Sequence, residues 1–314
     1  MSRIAVLSDI HGNLPALEAV LRDVQERRVE TLWYLGDVVV YGPQPGACVD
    51  RLRAACEQWP SSVLVRGNND HAIIQELQAQ RGQSAPAGGD WLVRAGIVDP
   101  SDPKEAERHK YVVATELSHA WTVEQLAPEQ QDWLLGLAST AQRPLEHVLL
   151  VHASPCDPVG EEGNYLHDVL DAEEAWLSLE QPLCFFGHTH SNVVFRRVVH
   201  TRLYDNTERI ARPTDPIPVN GQPLLVNPGS VGQPRDGLAT ANYAIYDDTV
   251  QQIEFYRVAY DVSETIRGLE STRQALEEVV QKLNARSASE PRPYQPEDAA
   301  MTIELLSKRL QEAR

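Results

Sequence analysis

The chain has 314 residues, with Lys plus Arg at 28 against Asp plus Glu at 45 and a formal charge of −17. At 42% hydrophobic and 23% charged residues it is long enough for one large globular domain or two, and collagen-like or wholly disordered chains are excluded. An acidic surface repels phosphate backbones and anionic lipid, which weighs against nucleic acid and membrane surfaces as partners.

No segment approaches the ~20 apolar residues that cross a bilayer. The run Ile4-Ala5-Val6-Leu7 is too short for a signal-peptide core, so a cytoplasmic location is expected. Cys48, Cys56, Cys156 and Cys184 form no C-x-x-C pair and read as reduced packing residues.

The first forty residues read as strand, helix, strand. Ile4 to Leu7 is extended; Leu17, Val20, Leu21 and Val24 recur at helical spacing behind Asn13 as a cap, with Pro15 tolerated in the first turn. Thr31 to Leu35 is the next strand, Ala47 to Cys56 the next helix and Ser62 to Val65 the third extended run. This alternation is the mark of a sheet covered by helices.

Residues 72–138 differ: Gly88-Gly89 and the Asp99-Pro100-Ser101-Asp102-Pro103 cluster interrupt polar helical stretches, and Pro128 opens a further helix. Strands resume at His147–Val151, Leu183–Phe186, Val193–Val199, Leu224–Val226, Ala241–Tyr246 and Gln252–Val258, the last two joined by a turn at Tyr246-Asp247-Asp248-Thr249. From Ser263 the pattern is helical (Ile266, Leu269, Leu276, Val279, Val280, Leu283), breaks at Ala288–Pro296 and resumes from Glu297 to Ala313. The expected organisation is a domain over residues 1–262 with a helical cap insertion at about 72–138, then a helical extension over 263–314. The last helix packs on the core or, alternatively, forms a homo-oligomer contact.

Side chains suited to metals follow one strand after another: Asp9-Ile10-His11, Gly36-Asp37, Gly67-Asn68-Asn69-Asp70-His71, His152 and Gly187-His188-Thr189-His190. In an open α/β sheet, ligands bind outside the carboxyl ends of the strands, so one site can collect all of these groups. Any single one is more often a cap or turn residue; five strand ends together point to an ion. Imidazole with carboxylate suits Mn, Fe, Zn or Co.

The set D-x-H, G-D, G-N, a lone His and G-H-x-H, in that order, resembles the calcineurin-like metallophosphoesterase superfamily. The segments Gly36 to Pro43 and Asn227-Pro228-Gly229-Ser230 to Gly237 are more specifically similar to its bacterial and archaeal phosphodiesterase branch, akin to diadenosine tetraphosphatases. The resemblance covers residues 3 to 260 and implies an α/β fold, a two-sheet β-sandwich flanked by helices. It implies two divalent metal ions, with manganese favoured and Fe, Zn, Co, Ni or Mg as alternatives. One would be held by Asp9, His11, Asp37 and His190, the other by Asp37, Asn68, His152 and His188, so that Asp37 bridges. Two such ions offset the two carboxylates and leave a local positive charge that attracts an anionic ester into an acidic protein.

Many members carry His directly after Gly-Asn, where it is thought to protonate the leaving oxygen; here that residue is Asn69, which donates a hydrogen bond but transfers no proton. His71, two residues on, is the other candidate for that step, against a solvated place in the first turn of a helix. Asp37, Asn69 and His71 are therefore the catalytic candidates, and Arg66 and Arg235 candidate phosphate contacts that read equally well as structural residues. His109, His119, His147, His167 and His200 stand in no motif and read as solvated or structural. The implied activity is hydrolysis of a small phosphodiester or phosphomonoester through a metal-bridging hydroxide. Alternatives are a Ser/Thr protein phosphatase, a dinucleoside polyphosphate hydrolase, and a non-catalytic metal-binding scaffold; nuclease action ranks lower on charge.

Overall fold

Alternation along the first strand sets the layers. A computed structural model describes residues 3–82, 103–198, 206–286 and 294–312. In β1 (Arg3–Leu7), Ile4 and Val6 face one way and Ala5 and Leu7 the other, and all four are buried. Ile4 and Val6 meet a second sheet across a core containing Trp33, Phe185, Val226 and Tyr246, whereas Ala5 and Leu7 meet helices. A strand buried on both faces reads as the continuous apolar run seen here.

In the first sheet, β1 pairs in parallel with β2 (Thr31–Tyr34), and β2 with β3 (Val63–Leu64). On its other side β1 pairs antiparallel with β11 (Ala241–Asp247), followed by β12 (Gln252–Val258) and β9 (Ile217–Pro218). The second sheet runs β4 (Gln142–Leu145), β5 (Val148–Leu150), β6 (Leu183–Phe185), β10 (Leu224–Asn227), β7 (Val193–Val198), β8 (Asn206–Ala211). Among the described residues both sheets are mixed, with six strands each.

The outer face of the first sheet is covered by α1 (Leu14–Glu26), α2 (Pro45–Gln58) and α3 (Asn68–Gln80), joined by Leu134 of α5 (Pro128–Leu135). Asn13 caps α1 as expected, its side chain accepting from the Ala16 amide at 3.3 Å. The outer face of the second sheet carries α6 (Val169–Trp176), whose Ala172, Ala175 and Trp176 are buried. The free Cys48 and Cys184 lie in these two cores, as packing residues do.

A third layer is helical throughout. Val113, Leu117 and Trp121 of α4 (Pro103–Gln125) share one apolar cluster with Leu269 of α7 (Val262–Ser271), with Leu276, Val279 and Val280 of α8 (Arg273–Arg286), and with Ala299, Ile303, Leu306 and Leu310 of α9 (Glu297–Glu312). The helix from the insertion and the three C-terminal helices thus bury their apolar faces against one another. The run expected from Ser263 is two helices, because the Ser271 and Thr272 hydroxyls turn back onto the carbonyls of Gly268 and Leu269.

Edge strands account for most of what the sequence pattern missed. Both β4, with Arg143 and Pro144, and β8, with Asn206, Thr207, Glu208 and Arg209, are outermost in the second sheet; β9, with Pro218, is outermost in the first. Edges are protected by charge and proline, which erase the apolar signature of a strand. Helix α6 was also missed, although Asp168 at its cap accepts from the Leu170 and Asp171 amides. Gly88-Gly89, residues 99–102 and most of the expected 288–296 break lie outside the described residues. Among the described residues no helix is long and apolar enough to cross a membrane.

Candidate metal centre

The loops that leave β1, β2, β3, β5 and β6 converge on one buried cluster. They are stitched together through the backbone: Asp9 and His11 donate their amides to Gly36 and Asp37 at 2.9 Å each, and Gly187 donates to His152 at 2.7 Å. The Asn227–Ser230 turn after β10 completes the frame. The Asn227 amide donates to the Gly187 carbonyl at 2.6 Å, and the Ser230 hydroxyl to the Asp9 carbonyl at 2.8 Å.

Five of the seven expected donors sit in left-handed backbone: Asp9 (φ 55°), His11 (47°), Asp37 (64°), His188 (64°) and His190 (58°). Residues with a Cβ rarely adopt this region, and such conformations cluster where function demands a direction the regular chain cannot give. The loops also press together. Gly36, at φ 104°, has no room for a Cβ, which would lie 2.7 Å from His152 Nδ1, and a Cβ on Gly67 would strike the Asp37 carboxylate.

Two overlapping donor groups result: Asp9, His11 and His190; and Asp9, Asp37 and His152. His190 Nε2 lies 3.3 Å from Asp9 Oδ1, and His152 Nε2 lies 3.4 Å from Asp37 Oδ2. Asp37 Oδ2 is also 3.6 Å from His11 Nε2. Asn68 Oδ1 reaches His152 Nε2 at 3.0 Å, and His188 Nδ1 reaches the same nitrogen at 3.2 Å, so all seven expected donors are brought together.

Three imidazoles are aimed by backbone carbonyls. Val39, Leu35 and Gln233 carbonyls accept from Nδ1 of His11, His152 and His190, at 3.2, 2.7 and 2.6 Å. With the proton fixed on Nδ1, each ring turns its Nε2 toward the cluster, the orientation that metal-ligating histidines take.

The electrostatics suits a cation. Burial keeps His11 down at about 4 and His188 and His190 well below the ordinary range, so these rings are neutral. Burial likewise raises Asp9 to about 7. Burial also opposes charge on Asp37 and His152, but each favours the charged form of the other, which holds Asp37 far below the carboxylate range and lifts His152 to about 9. Neither Asp9 carboxylate oxygen nor His188 Nε2 has a hydrogen-bond partner, although all three are buried. His11 Nε2 and His190 Nε2 stand 3.1 Å apart, an approach of two lone pairs that only a proton or a cation makes favourable. These residues fit divalent ions of the borderline class.

Asn69 faces the cluster. Its amide nitrogen donates to Asp37 Oδ2 at 2.6 Å, and its backbone amide to Asp37 Oδ1 at 2.9 Å. The other end of the amide, Oδ1, lies 3.0 Å from Nε2 of His119, a residue of α4 that the sequence placed among the solvated or structural histidines. Since Oδ1 only accepts, His119 Nε2 is the donor. Burial lowers His119 to about 4, so it makes this bond as a neutral ring.

Asp70, which the sequence left without a role, accepts from the Asp37 and Val38 amides at 2.8 and 2.9 Å and fixes the turn that carries Asp37. His71 is not brought to the cluster: its ring meets Gln75 at 2.7 Å, Arg66 at 3.5 Å and Glu161 at 3.5 Å. Arg66 donates to the carbonyls of Leu135 and Leu137 at 3.4 and 2.9 Å, a role at the end of α5. Arg235 follows the cluster directly, its amide donating to the His190 carbonyl at 3.1 Å.

A two-sheet α/β sandwich whose strand ends gather buried carboxylates and aimed imidazoles defines a metal-dependent hydrolase. Residues 2–249 match the calcineurin-like phosphoesterase superfamily domain, and the chain belongs to that superfamily, the phosphoric ester hydrolases of this fold. An uncharacterized protein of Methanocaldococcus jannaschii is 28% identical over 277 residues, which are 87% of this chain and 93% of that one. Phosphodiesterase YfcE of Escherichia coli K12 is 34% identical over 85 residues, 24% of this chain and 45% of YfcE. The crystal structure of a metallophosphoesterase from Sphaerobacter thermophilus is similar over 99% of this chain and 100% of its own, at TM-score 0.66 and 28% identity. That likeness therefore runs past the superfamily domain into the C-terminal helices. A protein of Pyrococcus horikoshii OT3 shares the fold at TM-score 0.58 and 22% identity, over 90% of this chain and 97% of its own.

Proposed function

We propose that the chain hydrolyses a small phosphodiester at a binuclear centre, with Asp9, His11 and His190 holding one ion, Asn68, His152 and His188 the other, and Asp37 serving both. The observation that carries this is the place of Asp37 Oδ2, within 3.6 Å of His11 Nε2 on one side and 3.4 Å of His152 Nε2 on the other. The 34% identity to a phosphodiesterase supports the diester among phosphoester classes. When bound, two ions would generate a nucleophile from water near neutral pH and neutralise charge on the phosphoryl oxygens.

The protein's own groups do the rest. Val39, Leu35 and Gln233 carbonyls fix which nitrogen of three imidazoles carries the proton. Asp70 fixes the Asp37 turn, and Asn69 orients the Asp37 carboxylate. His119 in turn holds the Asn69 amide in that sense, since a flipped amide would oppose its carbonyl oxygen to Asp37. With both ends of Asn69 engaged and His71 turned to Arg66 and Glu161, no imidazole proton is delivered by either residue. Esters with acidic leaving groups are favoured accordingly.

The test is a screen of manganese-reconstituted protein against p-nitrophenyl phosphate, bis-p-nitrophenyl phosphate and dinucleoside polyphosphates, with elemental analysis alongside. Two metals per chain and a higher kcat/KM on the diester than on the monoester are expected. Stoichiometry that never exceeds one ends the binuclear reading, and a monoester preference ends the diester reading.

A further inference from the structure

Beside the cluster lie two arginines from distant parts of the chain. Arg235 Nη2 and Arg309 Nη1 donate to the same oxygen, Gln233 Oε1, at 3.3 and 3.4 Å. The backbone carbonyl of Gln233 is the one that accepts from His190 Nδ1 at 2.6 Å. One residue thus ties both guanidinium groups to an expected metal ligand. Arg309 comes from α9, beyond the superfamily domain, and is steadied with its guanidinium 4.2 Å over the Tyr111 ring of α4.

Their charge state is unusual for this protein. Arg27, Arg51, Arg81 and Arg257 each reach a carboxylate within 2.9 Å, as expected in a chain of net charge −17. Among the described residues, Arg235 and Arg309 have no carboxylate within 4.0 Å and share a single neutral acceptor. Two cations held close without a counter-charge repel, and the arrangement is relieved by an anion with several oxygens, which the guanidinium fork matches. Around them stand two aromatic rings packed on the cluster, Tyr41 at 4.9 Å from the His11 ring and Tyr165 stacked at 4.0 Å on the His188 ring. Tyr165 is 40% exposed, Arg235 is exposed and Arg309 half-buried, so a ring packed on the cluster and both arginines reach solvent.

We propose that Arg235 and Arg309 form an anion subsite that seats a second phosphate of the substrate, linked to the phosphoryl group hydrolysed at the metal centre. The inference rests on the phosphoesterase reading above and sharpens it. The favoured substrates carry a second phosphate beside the phosphodiester that is hydrolysed, and the C-terminal helices contribute to substrate choice through Arg309.

The test uses the full-length, metal-loaded protein and titration calorimetry with inorganic tripolyphosphate and, separately, orthophosphate. A charge-assisted bond from each guanidinium predicts tripolyphosphate binding tighter by about tenfold or more. Arg309→Gln should reduce that preference by about tenfold, and Arg309→Lys, which keeps the charge but loses the fork, by less. Melting temperatures of both variants close to that of the parent show that α9 still packs in the helical layer through Ile303, Leu306 and Leu310. In parallel, the ratio of kcat/KM for a dinucleoside tetraphosphate to that for bis-p-nitrophenyl phosphate should fall in Arg309→Gln.

Equal affinity for the two anions in the parent protein, or an equal loss for both in Arg309→Gln, overturns the subsite. If tripolyphosphate binding follows the arginines while no phosphoester is turned over, the subsite stands and the phosphodiesterase reading falls. If esters are hydrolysed without an anion preference, the reverse holds.

Discussion

The candidate metal cluster draws its side chains from loops a few residues past a strand, whereas the helical layer of α4 and α7–α9 brings His119, from mid-helix, and Arg309, from a last turn, beside it. In the first region position follows from the backbone. Paired strands end together, so the residues after them meet, and amide bonds such as His11 to Asp37 lock the loops in register. In the second region position follows from packing between helices far apart in sequence, through Val113, Leu117, Ile303 and Leu306. A site can therefore have a centre set by the sheet and a periphery set by whatever layer is packed beside it.

The largest effect that would sharpen this contrast comes from removing metal. Chelation should abolish hydrolysis and lower the melting temperature, because ions held by the folded cluster would be lost on unfolding. Saturation at a thousand times Kd stabilises by about 4 kcal/mol, and calorimetry with and without manganese measures it. A melting temperature indifferent to metal would mean that the strand-end cluster does not hold ions in the folded protein.

Next is Asp37→Asn, which removes the carboxylate assigned to both ions and should lower kcat/KM on the order of a thousandfold. That corresponds to several kcal/mol of transition-state stabilisation. Asp9→Asn should cost less, and equal mild losses would show that Asp37 does not serve both ions. The measurement is kcat/KM on bis-p-nitrophenyl phosphate, with metal content determined for each variant.

The helical layer is probed by His119→Ala. Losing the donor to Asn69 Oδ1 frees the amide to flip, and kcat should fall about tenfold to a hundredfold, the range for groups that orient a site through another residue. KM and metal content should change little. His119→Gln, whose amide nitrogen can still donate, should recover part of the rate. No difference between the alanine and glutamine variants would reduce His119 to a packing residue.

The smallest effect is expected from His71→Ala. With its ring engaged by Gln75, Arg66 and Glu161, and so not delivering a proton to the leaving group, the change should alter turnover of an alkyl ester by less than about twofold. A strong loss confined to alkyl esters would restore the proton-donor role considered from the sequence.

These contrasts also explain what could be read from the chain. The expected strand-end ligands were legible because each follows an apolar run, all but His152 within a short motif, and the order of motifs carried the family. The covered strands and their helices were legible for the same reason, since burial imposes period. The three edge strands were not, because charge and proline at an edge serve to prevent pairing rather than to promote it. His119 was illegible because nothing near it in sequence marks the ring as one that reaches Asn69. Arg309 was illegible because the last helix offers its apolar stripe as the dominant signal and its arginine as ordinary surface. The left-handed backbone of Asp9 and His11 was hidden too, since neither follows a glycine.

That backbone has a consequence for the life of the protein in a cell. Sparsely populated conformations cost about 1–3 kcal/mol each, and five lie among the expected donors, next to Asp9 oxygens that have no partner. A chain that folds before it is loaded bears these penalties without the compensating ions, so its unfolded fraction is larger and degradation reaches it more often. Abundance should therefore track the supply of divalent metal. Pulse–chase turnover in metal-depleted and metal-replete cells should differ for the native chain, and should differ less once Asp9, one of the five strained donors, is replaced by glycine, which takes that backbone without strain.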